Sequence, residues 1–101
     1  MCGIVGKVNR DPQRPVDRDL IRTMQRCIVH RGPDEEGTWL EGPVGFGFQR
    51  LAIIDLATGH QPMASEDGSV HVVFNGEIYN FPELREQLLA KGHTFTTDSD
   101  T

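Results

Sequence analysis

Residues 38–56, TWLEGPVGFGFQRLAIIDL, limit the fold more than any other stretch of the chain. TWLE and VGFGFQRLAIIDL are apolar runs with β-branched and aromatic residues, parted by the turn dipeptide Gly42-Pro43, and are expected to form successive antiparallel strands. The remaining segments are arranged around that pair. CGIVGKV, residues 2–8, sets Ile4, Val5 and Val8 between glycines and reads as a strand at the N-terminus; NRDPQRP breaks it. Asp17 is a suitable N-cap, and Leu20, Met24, Cys27 and Ile28 recur at helical spacing, which predicts a helix over about 17–29 with Cys27 on its core face. HRGPDEEG follows as a turn-rich loop. ATGHQPMASEDGS, residues 57–69, is a long connection, and VHVVFN, residues 70–75, is a strand. FPELREQLLAKG predicts a second helix, with Asn80 as cap, Pro82 in the first turn, Gly92 as the stop, and Phe81, Leu84 and Leu88 on one face. HTFTT, residues 93–97, is expected to be a last strand. The order β, α, several β, α, β describes an α+β layered domain.

The 101 residues make about one small domain, able to hide roughly 60–68% of the surface the unfolded chain exposes. With 37% hydrophobic and 25% charged residues and a net charge of −5, the chain matches ordinary globular proteins, and it carries no repeat or low-complexity tract. Its ten Lys and Arg are spread without a basic block, which argues against nucleic-acid binding. No run of about 18 apolar residues is present and Met1 is not followed by a secretory signal, so no membrane association and a cytoplasmic location are expected. The two cysteines, Cys2 and Cys27, are too few for a disulfide framework.

Cys2 directly follows the initiator Met. A small second residue is the usual condition for removing that Met, which would leave a cysteine with a free α-amine: nucleophile and base in one residue. Thiols and α-amines both titrate just above neutral pH, and so close together they titrate as a coupled pair. Position alone fits a buried cysteine in an edge strand as well. Cys27, His30, His60 and His71 lack the paired spacing of zinc sites, and no metal is expected.

MCGIVG at the start, HRGPD at 30–34, RLAIIDL followed by GHQPM between Arg50 and Met63, NGEIYN at 75–80 and the final SDT occur in one order along the chain. Together they resemble the class II glutamine amidotransferase domain of glutamine-hydrolysing asparagine synthetases, which is of the N-terminal-nucleophile type. The resemblance implies part of a four-layer αββα sandwich with two antiparallel sheets. It also implies that residues 1–101 are one such domain, incomplete at its C-terminal end, with the synthetase domain lying elsewhere in a longer chain. The isolated 101-residue chain is accordingly expected to be poorly stable and inactive.

The resemblance implies roles residue by residue. Cys2 would attack the glutamine carboxamide, its α-amine carrying the proton to the departing ammonia. The Asn75 side chain and the Gly76 backbone N–H would form the oxyanion site. Arg50 would take the α-carboxylate, with Leu51 and Ile53 also at the substrate, and Asp100 with Glu77 would take the α-ammonium. Arg31, Gly32 and Asp34 would order a loop over the nucleophile. Local pattern leaves blander readings open: Arg50 as a strand-surface ion pair, Asp100 as a frayed terminal residue, HRGPD as a solvated turn. Implied partners are L-glutamine and a C-terminal synthetase domain, with a homodimer of the full-length enzyme also allowed. No cofactor is expected within these residues; ATP and magnesium belong to the synthetase domain. A different acceptor (a sugar phosphate, phosphoribosyl pyrophosphate or another carboxylate) and a non-catalytic glutamine-binding module are the competing readings.

Overall fold

A computed structural model describes residues 2–52 and 57–101. Strands β1 (Gly3–Val8), β2 (Glu35–Glu41) and β3 (Val44–Arg50) form an antiparallel sheet in the order β1-β3-β2. Glu41 pairs with Val44 across the two-residue turn Gly42-Pro43, where Gly42 takes φ +50°. A positive φ followed by proline suits the twist of a tight hairpin, so the predicted strand pair forms as expected. β2 begins three residues earlier than TWLE suggests, because Glu35 to Glu41 are all in register with β3. β3 ends at Arg50, and residues 53–56 of its predicted extension lie outside the described residues.

The glycines of β3 decide how the first helix, α1 (Arg18–Cys27), packs. A Cβ on Gly45 would press on Val16 and Ile21, and one on Gly47 would stand 2.6 Å from Gln25 Cγ. With no side chains there, α1 settles directly on the strand and buries Ile21 and Gln25. The buried stripe is therefore rotated from the predicted one: Cys27 is exposed, Leu20 is 37% exposed, and Gln25 replaces them. Periodicity could not find Gln25, whose amide is buried because it is satisfied. Its Nε2 donates to Gly37 O (2.9 Å) and Phe48 O (3.3 Å), and its Oε1 accepts from Thr38 Oγ1 (2.9 Å). Asp17 caps α1 through Oδ1 to the Asp19 N–H, and the chain passes at Val29–Arg31 into a 3-10 turn rather than further α-helix.

The second half is more loosely built. β4 (Met63–Ala64) and β5 (His71–Val72) form a two-stranded ladder, so the predicted 70–75 strand is paired over only two residues and the predicted connection contains β4. His71 stacks on Trp39 at 4.1 Å, and Trp39 meets Phe46 at 5.6 Å, which joins this ladder to the main sheet. Helix α2 (Phe81–Ala90) has Pro82 in its first turn and ends as predicted at Gly92, φ +91°. The His93 N–H reaches Leu88 O and the Gly92 N–H reaches Leu89 O, the paired bonds of a left-handed helix stop. Asn80 occupies the cap position without a side-chain cap bond. Residues 93–97 are not a strand: the Thr94 N–H is taken by Glu66 Oε1, Thr97 O by Arg85 Nη1 (2.7 Å), and Phe95 lies beneath the Arg85 guanidinium. The architecture is α+β with antiparallel sheets.

Candidate active site

The pairing of Gly3 with Gln49 sets Cys2 beside the Arg50–Leu51 end of β3. Leu51 addresses the thiol twice through its backbone. Its N–H donates to Cys2 Sγ (3.3 Å), and the S–H faces its carbonyl (3.6 Å). Arg31 Nε donates to Cys2 O (3.3 Å), and the Asp34 N–H donates to Arg50 O while Asp34 Oδ2 accepts the Ala52 N–H (2.9 Å). At Gly32 a side chain would collide with the backbone of Gln49 and Arg50. The HRGPD segment thus ties down the main chain on either side of the thiol's backbone partner.

Arg50 is buried, 5% exposed, and bonds Glu35 Oε2 through Nη1 at 2.9 Å. It forms an ion pair as the local reading allows, but in the wall of a cleft and not on a strand surface. Glu35 sits below the ordinary carboxylate range, chiefly because Arg50 hydrogen-bonds its charged form; desolvation opposes this and His60 adds to it. His60 meets the same Glu35 oxygen through Nδ1 (2.8 Å) and Ala57 O through Nε2 (2.9 Å).

A cleft of about 410 Å³ opens between the two halves. Its lining brings together Cys2, Arg50, Leu51, Asn75, Gly76, Glu77 and Asp100, residues up to 98 positions apart in sequence. Ile53, the remaining expected substrate contact, lies outside the described residues. Asn75, Gly76 and Glu77 are exposed at the rim just after β5, and the Phe74 ring lies where a Gly76 side chain would otherwise stand. Asp100 is not frayed: it is half-buried, and its Oδ2 accepts the Ile78 N–H at 2.7 Å. Sequence reasoning missed Phe48, Gln61, Phe74 and Thr101 in the lining. GHQPM contains Gln61 and SDT contains Thr101, but neither motif carried a role for that residue.

In chemical terms the cleft holds a soft nucleophile with a backbone donor on it, a buried guanidinium on one side and a carboxylate on the other. It suits a zwitterionic amino-acid head group with a reactive side-chain end.

A family model described as glutamine amidotransferase domain matches residues 1–101. Among curated proteins, asparagine synthetase (glutamine-hydrolysing) 1 of Bacillus subtilis (strain 168) is 54% identical over 103 residues, an alignment covering 100% of this chain and 16% of that protein. Asparagine synthetase (glutamine-hydrolysing) 2 of the same organism is 43% identical, covering 99% of this chain and 13% of its own length. The asparagine synthetase of Sandersonia aurantiaca is 44% identical, covering 99% and 19%. The chain spans less than a fifth of the length of these relatives. Matched over its whole length, the chain belongs to the glutamine amidotransferase domain family.

Proposed function

We propose that this chain hydrolyses the side-chain amide of L-glutamine through Cys2 and delivers the ammonia to a synthetase domain of the same full-length protein. The observation that carries the reading is the cleft in which Cys2 Sγ receives the Leu51 N–H and faces Arg50, Asn75, Gly76 and Asp100. Removal of Met1 frees the Cys2 α-amine. That amine takes the thiol proton as Sγ attacks the δ-carbon of glutamine, and the carbonyl electrons collect on oxygen. The Asn75 side-chain N–H and Gly76 backbone N–H hold this oxyanion until it collapses. The proton passes to the leaving nitrogen, ammonia departs, and a γ-glutamyl thioester remains on Cys2. Water then attacks the thioester, releasing glutamate and restoring the thiol.

Arg50 holds the α-carboxylate in this scheme, sharing its guanidinium with Glu35. Asp100, already turned to the Ile78 N–H, holds the α-ammonium with Glu77 nearby. The relatives' names support aspartate as the final acceptor, with ATP and magnesium bound outside these residues. The same reading makes this chain part of a four-layer αββα sandwich in a cytoplasmic enzyme that can dimerise. In the full-length protein, Cys2→Ala is expected to reduce glutamate release from glutamine to background; release at the wild-type rate would sink the assignment. Intact mass should show Met1 absent.

A further inference from the structure

We infer that Gln61 is a positioning residue for the glutamine site, its side-chain amide bracing both the segment that carries Asn75–Gly76 and the segment that carries Asp100. This inference rests on the glutaminase reading of the cleft. Gln61 Oε1 accepts the Phe74 N–H at 2.6 Å, immediately before Asn75. Gln61 Nε2 donates to Thr101 Oγ1 at 3.3 Å, immediately after Asp100. The two braced segments are also joined to each other by Ile78 N–H to Asp100 Oδ2 at 2.7 Å. Gln61, residues 74–78 and residues 100–101 therefore close a ring of contacts around the cleft.

The ring is anchored. A side chain at Gly37 would run into the Gln61 carbonyl, so the Gln61 backbone lies flat on β2. β5 ends at Val72, which leaves the Phe74 N–H beyond the ladder to be taken by Gln61. The Phe74 ring in turn packs against Gly76, 2.8 Å from where a Cβ would be, so a shift of Phe74 moves the backbone N–H assigned to the oxyanion. A primary amide presents one acceptor and one donor end; a carboxylate keeps only acceptors, and leucine keeps neither. His60 and Pro62, its chain neighbours, cannot substitute: His60 is directed to Glu35 and Ala57, and proline has no such group.

The test uses the full-length protein with three variants, Gln61→Leu, Gln61→Glu and Thr101→Val, beside wild type and Cys2→Ala. Glutaminase kcat and KM are measured together with hydrogen exchange of the peptide spanning residues 72–79. Gln61→Leu is expected to speed exchange at Phe74 at least about tenfold and to lower kcat by about 10²-fold, the typical loss when an oxyanion donor is misplaced. Gln61→Glu keeps the acceptor for Phe74, and the Thr101 hydroxyl can turn to donate to the carboxylate, so Phe74 protection should be retained and kcat and KM should stay within about tenfold of wild type. Thr101→Val breaks only the Asp100 end and should raise KM several-fold while kcat changes less than about threefold. If Gln61→Leu fails to fold, the other two variants decide: Gln61→Glu exchanging freely at Phe74, or Thr101→Val leaving KM unchanged, overturns the brace. Wild-type kinetics and exchange in Gln61→Leu, with activity still lost in Cys2→Ala, overturn the brace and leave the glutaminase reading standing. A wild-type protein that releases no glutamate overturns both.

Discussion

The helices α1 and α2 are each ten residues long, yet they are held in opposite ways. α1 rests on the glycine stripe of β3 and buries Ile21 and Gln25, so its stability comes from the surface beneath it. α2 buries no residue; its order comes from its ends and from Arg85, which reaches Thr97 O at 2.7 Å and Asp98 at 3.4 Å. The same contrast divides the cleft. Arg50 ends β3, with Cys2 and Leu51 one residue beyond the ends of β1 and β3 and α1 behind the sheet, whereas Asn75, Gly76, Glu77 and Asp100 sit on irregular segments held by side-chain hydrogen bonds. The proposed nucleophile therefore stands at a paired strand end, and the groups proposed to meet the oxyanion and the α-ammonium stand on irregular segments.

Mutations test the contrast, beginning with the largest effect. Ile21→Ala should cost about 2–5 kcal/mol, since a fully buried side chain leaves a cavity against β3. A urea midpoint unmoved by this change would mean that α1 is not seated as described. Gly47→Ala should cost about 1–3 kcal/mol, because the new methyl would stand 2.6 Å from Gln25 Cγ and 2.7 Å from Val5 Cγ2. Equal stability of this variant and wild type in denaturant would show that the helix rides higher on the strand.

Acid should reveal the Arg50–Glu35 pair. Because the folded carboxyl of Glu35 titrates below its ordinary value, its contribution is complete above that value and disappears as pH falls through the lowered one. Urea midpoints should therefore fall from about pH 4.3 downward, and less steeply in Glu35→Gln. Asp67, drawn down to about 2 by the Ser69 and Ser65 donors, titrates in the same window, so the difference between the two proteins is the informative quantity. Identical slopes would remove Glu35 from the account. Leu89→Ala, at a position of α2 that is 51% exposed, should shift stability by less than about 0.5 kcal/mol beyond its helix-propensity change. A loss comparable to that of Ile21→Ala would erase the distinction between the helices.

Much of the local structure was legible in the residues themselves. Asp17, Gly42-Pro43 and Gly92 act on their own backbone or that of near neighbours, so their turns and stops could be located without knowledge of the fold. The stretches 70–75 and 93–97 misled because extended, β-branched sequence becomes strand only where an edge is available to pair with, and here side chains of Gln61 and Glu66 take the backbone donors. The site residues were legible only as motifs; nothing local to Arg50 or Asp100 distinguishes a ligand from a surface charge.

What the amino-acid order determined on its own was where the chain turns, which runs favour helix or strand, and the presence of a thiol next to the initiator Met. Tertiary structure decided that Gln25 and not Cys27 is buried, that Leu51 meets the thiol through its backbone, and that Gln61 stands between Phe74 and Thr101. Those outcomes depend on donors and acceptors meeting across 12 to 49 residues of chain. Short-range preferences fix dihedral angles, but only the packed fold chooses which distant polar groups satisfy one another.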